Sequence, residues 1–183
     1  MSILRVFPGK IDSPEKLRRK IQYVLSHKPL DKMQCESDEH LIKTYGLPYS
    51  KNPAQISEFM LFSHNAFGRK GQRLAYHILM DFAGLLSPTE ANIIGFAINQ
   101  FLAEHGLQFV QGVHISKKNC TLYWPHVHTI CNTQIVRGRN FGKKFHFYKR
   151  DLLDFHNWAN CILQKNHLPT IPKKEDYFND THY

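Results

Sequence analysis

The sequence predicts an α+β domain with a central antiparallel β-sheet flanked by helices. Three observations lead there. Capped amphipathic helices alternate with strand-like runs in the order β-α-α-β-α-β-β-α, which lacks the regular strand–helix alternation of a parallel sheet. Two of the runs, 107-LQFVQGVHIS-116 and 123-YWPHVHTICNT-133, are separated by only a short polar segment and read as a hairpin. Hydrophobic content of 42% and aromatic content of 13% over 183 residues are ample for a packed core.

The elements follow in order. Residues 2–7, SILRVF, form a short strand ended by Pro8-Gly9. Ser13-Pro14 supplies an N-cap with proline at the first helical position, and the helix runs to about Ser26. Its apolar stripe is Leu17, Ile21, Val24 and Leu25. Residues 30–52 show little periodicity and read as a loop with room for a short helix. Between Pro53 and Phe67, Ile56, Phe59, Met60 and Ser63 recur at helical spacing, and Gly68 to Gly71 break that helix. A strand, 73-RLAYHILMDF-82, comes next. Ser87-Pro88-Thr89-Glu90 is a capping box; Ala91, Ile94, Ile98, Phe101 and Leu102 are the core face of its helix, and Gly106 stops it. After the hairpin, Arg137 to Gly142 make a turn. A last helix over about 149–166 is apolar at Leu152, Phe155, Ala159, Ile162 and Leu163. The chain reads as one domain over 1–183, with 170–183 a C-terminal tail.

No apolar run reaches roughly 18 residues, which argues against a transmembrane span, and MSILRVFPGKIDSPEK lacks the apolar core of a secretion signal. The four cysteines, Cys35, Cys120, Cys131 and Cys161, form no CxxC pair. These features suit a reduced, cytoplasmic protein. A net charge of +9 suits a polyanionic partner, with nucleic acid the default.

The 12 histidines are many for this length. In a strand, His126, His128, Ile130 and Asn132 share one face, because side chains repeat every second residue. A hairpin bend near Cys120-Thr121 brings His114 opposite 126–128, so three imidazoles converge. An all-histidine site with open positions suits a divalent metal acting on substrate; the plainer alternative is strand histidines paired with carboxylates. His77 lies in an apolar strand and reads as packed or hydrogen-bonded. His27, His40, His64 and His105 read as exposed near helix ends or loops, and His146 and His156 flank the final helix.

Tyr23 lies far from the centre of its helix's apolar arc, with Lys20, Arg19 and Lys16 at i−3, i−4 and i−7. A phenol among cations is where a phosphate would be held; it also fits a solvated face with an incidental tyrosine.

A tyrosine on the first helix, then HxH with asparagine four residues after the second histidine, resembles the relaxases of the HUH endonuclease superfamily. The likeness is to their VirD2/MobA-like mobilisation group, the MOBP type. SPEKLRRKIQYVLSHKP is similar to the family's opening helix, and FSHNAFGRKGQRLAYHILMDFAGLLSPTEANIIG to its glycine- and arginine-rich turn, Tyr-His strand and capped helix. NFGKKFHFYKRDLLDFHNWANCILQKNHLP is similar to its closing segment. The resemblance spans most of residues 10–170. It implies the HUH endonuclease/relaxase fold, with Tyr23 as nucleophile, His114, His126 and His128 as metal ligands, and Asn132 orienting a ligand or touching the phosphate. It departs at Ser116, where many relatives carry Asp, and at Trp124, where some carry a further histidine, so the hydrogen-bond partner of the imidazoles is left unnamed.

The implied reaction is metal-dependent, site- and strand-specific nicking of single-stranded DNA at an origin of transfer, through a 5′-phosphotyrosyl intermediate that permits rejoining. Mg²⁺ or Mn²⁺ is the expected ion, with Zn²⁺ or Ni²⁺ binding in vitro. The expected partners are single-stranded DNA or an origin hairpin, accessory relaxosome proteins and a secretion coupling protein. The protein is expected to be a monomer, without a membrane partner. The candidate DNA-binding cations are Lys16, Arg19, Lys20, Arg69, Lys70, Arg73, Arg137, Arg139, Lys143 and Lys144, interleaved with Phe67, Phe141, Phe145 and Tyr148 for base stacking. Three rivals stand beside this reading. One is a rolling-circle initiator or transposase-like nuclease using Tyr148, and one is a non-catalytic DNA-binding module. The last, a two-histidine phosphoesterase, needs two H-x-[ST] motifs, and only His114-Ile115-Ser116 has that spacing.

Overall fold

The structure, a computed structural model, describes residues 2–7, 9–25, 41–67, 73–118 and 122–172. Its elements are β1 (Ile3–Val6), α1 (Pro14–Leu25), β2 (Ile42–Tyr45), α2 (Pro53–Phe67), β3 (Ala75–Asp81), α3 (Pro88–Glu104), β4 (Leu107–Lys118), β5 (Leu122–Ile135) and α4 (Lys149–Lys165). The five strands form one sheet in the order β1-β3-β5-β4-β2, and every neighbouring pair is antiparallel. The α+β architecture expected from the sequence is the one observed. β5 lies at the centre, paired on both sides, so its backbone groups are satisfied where no water reaches them.

Strand alternation divides the interior into two layers. Val127, Cys131 and Ile135 of β5 point to one face, where they pack with Phe109 and Val113 of β4 under α3 and α4, against Ile98, Leu102, Phe155 and Leu163. Ile130 and Val110 point to the other face and pack against Leu17, Ile21 and Val24 of α1 and Ile56 and Met60 of α2. His126, His128 and Asn132 share the face of Ile130 by period-two alternation, so they lie on the α1/α2 side. The capping box of α3 is formed: Glu90 N–H donates to Ser87 Oγ at 3.3 Å, and Ser87 N–H donates to Glu90 Oε2 at 2.8 Å.

Three local expectations change. Residues 41–52 contain β2, an edge strand pairing Ile42 with Gly112 and Tyr45 with Phe109; four residues are too few to display a period. Residues 30–40 lie outside the described residues. On α2, the buried line is Ile56, Met60, Ser63 and His64, whereas Phe59 sits at the rim of the stripe and is 47% exposed. His64 is buried rather than exposed, because its Nε2–H finds the Leu74 carbonyl at 2.9 Å. No helix among the described residues is long and apolar enough to cross a membrane.

Candidate active site

The β4–β5 register places His114 directly opposite His126 and Gly112 opposite His128. Ring centroids are 5.8 Å apart for His114–His126, 4.6 Å for His114–His128 and 4.9 Å for His126–His128. One nitrogen from each ring lies within 4.8 Å of the others. A cation bound at about 2.1 Å to each needs nitrogens roughly 3–4 Å apart, so modest ring rotation completes the fit. His128 is buried, while His114 and His126 are half-buried. Three imidazole ligands would leave a divalent cation open positions for substrate oxygens.

Hydrogen bonds orient two of the rings. His114 Nε2 lies 3.1 Å from the Val24 carbonyl at the end of α1. A carbonyl only accepts, so Nε2 carries the proton and Nδ1 is the nitrogen that can bind a cation. The same bond satisfies one of the carbonyls that every helix leaves unpaired in its last turn. His128 Nδ1 lies 2.9 Å from His77 Nε2. The sequence placed His77 only as packed or hydrogen-bonded; its association with the site depends on β3 lying beside β5, which no local spacing reveals. Asp81 of β3 stands directly across from His126.

Tyr23 projects from the last turn of α1 beside this cluster. Its ring meets those of His114 and His128 edge-on, with centroids 4.9 and 5.1 Å away, and its hydroxyl is 3.4 Å from His128 Nε2. The Lys20 ammonium is 6.0 Å from the phenol ring. The approach of α1 depends on Gly112: a Cβ there would come within 2.3 Å of the Val24 carbonyl oxygen. Backbone cannot yield as a flexible side chain does. Gly112→Ala should therefore push the end of α1 away from β4, break the His114–Val24 bond and displace Tyr23. We expect a loss of about 1–3 kcal/mol in urea-unfolding stability, together with weaker metal binding by calorimetry.

Burial, reinforced by neighbouring cations, holds two imidazoles neutral. His77 is pushed down to about 4, first by burial and then by Lys20 and His114. His128 is pushed down to about 2, first by burial and then by His114, His77, His126 and Lys20. The unfolded chain takes up these protons near the ordinary value of 6.5, whereas the folded protein does not. Between pH 6.5 and about 4 the unfolded state therefore binds more protons than the folded one, and stability falls as pH falls. Each histidine contributes up to about 1.4 kcal/mol per pH unit across its window. The urea midpoint of the metal-free protein should drop between pH 7 and pH 5; a constant midpoint would contradict this.

Other anticipated site residues are placed differently. Asn132 is completely buried, four residues along β5 from His128. Its amide nitrogen donates to Ser63 Oγ at 2.9 Å and Gln108 Oε1 at 2.8 Å, and its carbonyl oxygen accepts from Gln134 N–H at 3.0 Å. In place of the anticipated contact with a ligand or phosphate, it ties β5 to α2 and β4. On α1, Lys16 pairs with Asp12 at 2.8 Å and Arg19 pairs with Glu15, which makes that side a solvated i,i+4 surface. Lys20 is the α1 cation near the imidazoles.

A second group of cations gathers beyond the end of β3. Arg73 stacks over Tyr76 at 4.7 Å, and Lys144 is pushed down to about 8, first by partial burial and then by Arg73 and Lys10. Arg137 donates to the Tyr45 hydroxyl at 3.4 Å, Lys143 to Asn140 Oδ1 at 3.4 Å, and Arg139 is exposed. Phe67 and Phe141 form an exposed edge-to-face pair at 4.9 Å. Phe145 is buried in the core and does not offer a stacking face. Tyr148 is exposed at the head of α4, which packs with α3 on the sheet face opposite the imidazoles. Arg69, Lys70, His27, His40 and the side chains of Ser116 and Trp124 lie outside the described residues.

No family model and no curated protein matches the chain. Solved structures do. One, from work on the molecular basis of vancomycin resistance transfer in Staphylococcus aureus, has a TM-score of 0.50 at 16% identity, over 91% of this chain and 94% of that one. Another is the MobM relaxase domain (MOBV, Mob_Pre) bound to plasmid pMV158 oriT DNA and manganese. Its TM-score is 0.58 at 14% identity, over 100% of this chain and 94% of that one. That neighbour is of the MOBV type, so the likeness does not extend to the MOBP type that the sequence segments resemble. What the comparison establishes is architecture: this chain has the α+β fold of a relaxase domain.

Proposed function

We propose that this chain is a DNA relaxase: a metal-dependent, tyrosine-dependent endonuclease that nicks one strand at an origin of transfer and can rejoin it. The observation that carries the reading is the meeting of His114, His126 and His128 with a phenol hydroxyl 3.4 Å from His128 Nε2. The fold shared with the manganese- and oriT-bound MobM domain supports it, as do the collinear sequence segments. Those segments favour the VirD2/MobA-like type as the finer assignment. On this reading, residues 1–183 form a single catalytic domain.

The Tyr23 oxygen attacks the scissile phosphorus in line. A bond forms between phenol oxygen and phosphorus, the bond from phosphorus to the 3′ oxygen breaks, and the phenol proton ends on the released 3′-hydroxyl. One phosphodiester replaces another, so the step is close to thermoneutral and runs backwards to reseal the strand. A divalent ion, when bound by the three imidazoles, supplies charge stabilisation to the non-bridging phosphate oxygens. His114 and His128 hold their rings through the Val24 carbonyl and His77, which fixes the ligand nitrogens before substrate arrives. Lys20 places positive charge beside Tyr23 where the phosphate must dock.

The strand continues past the centre over Arg73 and Lys144, with Phe67 and Phe141 offering faces on which unpaired bases stack, each worth about 1–3 kcal/mol; Tyr148, anticipated for the same role, lies on the α4 side of the sheet. Accessory relaxosome proteins and a coupling protein are the partners this role implies. Incubating the protein with single-stranded oligonucleotides covering its cognate origin and Mn²⁺ should give a covalent adduct on a denaturing gel. Chelation should abolish the adduct, and raised salt should weaken binding steeply. An adduct of equal yield without divalent metal would overturn the proposal.

A further inference from the structure

We infer that His77 is a positioning residue, whose Nε2 accepts a hydrogen bond from His128 Nδ1–H and so commits His128 Nε2 to the metal centre. The inference rests on the metal-centre reading above and adds a residue to it. A neutral imidazole has one donor nitrogen and one acceptor nitrogen. For His128 to bind a cation through Nε2, its proton must sit on Nδ1, and a buried N–H needs an acceptor. His77 Nε2 stands 2.9 Å away. The Tyr23 hydroxyl, 3.4 Å from His128 Nε2, fits the same arrangement, since a phenol O–H donates to an unprotonated nitrogen. The protons then run one way along the row: Tyr23 hydroxyl to His128 Nε2, His128 Nδ1–H to His77 Nε2.

His77 is itself held in place. It is buried, its ring lies 4.6 Å from that of Phe7, and its carbonyl accepts from Phe7 N–H at 2.9 Å. β1 thus braces β3 at the point where β3 braces β5. The chemistry of the partner has a consequence. Metal-bound histidines usually donate to a carboxylate or a carbonyl; a carboxylate would add negative charge beside the cation, and a neutral imidazole adds none. At His128, then, the partner offsets none of the cation's charge, which suits binding of a phosphodiester's anionic oxygens.

The test is calorimetric titration with Mn²⁺ at pH 7.5 of the wild-type protein, His77→Phe and His77→Gln. Phenylalanine keeps the packing against Phe7 and removes the acceptor, and glutamine restores an acceptor. His77→Phe should weaken Mn²⁺ binding about 10–100-fold, and His77→Gln should recover most of it. Undiminished affinity in His77→Phe, or equal loss in both variants, overturns the role of His77. A wild-type protein that takes up no Mn²⁺ overturns the metal-centre reading itself, and the inference with it. A second measurement needs no variant: ¹⁵N imidazole correlations of the metal-free wild-type protein should place the His128 proton on Nδ1. A proton on Nε2 overturns the inference.

Discussion

Tyr23→Phe should abolish the covalent protein–DNA adduct while leaving oligonucleotide binding intact. The substitution removes one oxygen. The ring keeps its edge-on contacts with His114 and His128, so the histidine cluster and the end of α1 stay in place. Tyr23 is 45% exposed and its hydrogen bond to His128 spans 3.4 Å; losing that bond costs no more than about 1 kcal/mol of stability. The reaction, by contrast, loses the proposed nucleophile, and adduct yield should fall by at least about 10³-fold. Denaturing gels measure the adduct, and fluorescence anisotropy on the same oligonucleotide measures binding. Tyr148→Phe is the control. Tyr148 opens α4 on the far side of the sheet from the imidazoles, so that variant should form adduct normally. Were Tyr148→Phe inactive and Tyr23→Phe active, the reading would shift to a rolling-circle initiator.

The second large effect is expected from His126→Ala. Of the three proposed ligands, His126 is half-buried, whereas His128 is buried against His77 and His114 holds the end of α1. On the proposed reading, the loss of His126 takes one of three protein ligands from the cation. Mn²⁺ affinity should fall on the order of 10²-fold or more, because altering even an outer hydrogen-bond partner typically costs 10–100-fold. Nicking should fall with it, and excess Mn²⁺ should restore part of the activity. Urea unfolding of the metal-free protein should change by less than about 1 kcal/mol. Unaltered Mn²⁺ binding would remove His126 from the centre.

What could be read from the chain follows the range of the interactions involved. His126 and His128 share a face because of a two-residue period, and His114 joins them because two adjacent strands fold back on each other. Both are local patterns, and both appear in the structure. The capped start of α3 and the apolar stripe of α1 are local in the same sense. Tyr23 was visible as the residue off that stripe, but its distance from the imidazoles was not. That depends on how α1 crosses the sheet, hence on Gly112 and the Val24 carbonyl, 88 positions apart in the sequence. His77 was invisible as a partner of His128 because β3 reaches β5 across α3 and β4. Asn132 sits on the expected face, yet Gln108 and Ser63 occupy its amide. Phe145 looked available for stacking within a basic turn and is core instead, packed edge-on against Phe147 at 5.0 Å. β2 carries too few residues to announce itself.

The central claim is that one cation is held by three imidazoles beside the phenol of α1. Anomalous scattering from a crystal soaked in Mn²⁺ tests it most directly. A single strong peak is expected about 2.0–2.2 Å from one nitrogen each of His114, His126 and His128, with the Tyr23 hydroxyl the nearest phenol. A peak elsewhere in the protein, with these three rings carrying none, would contradict it.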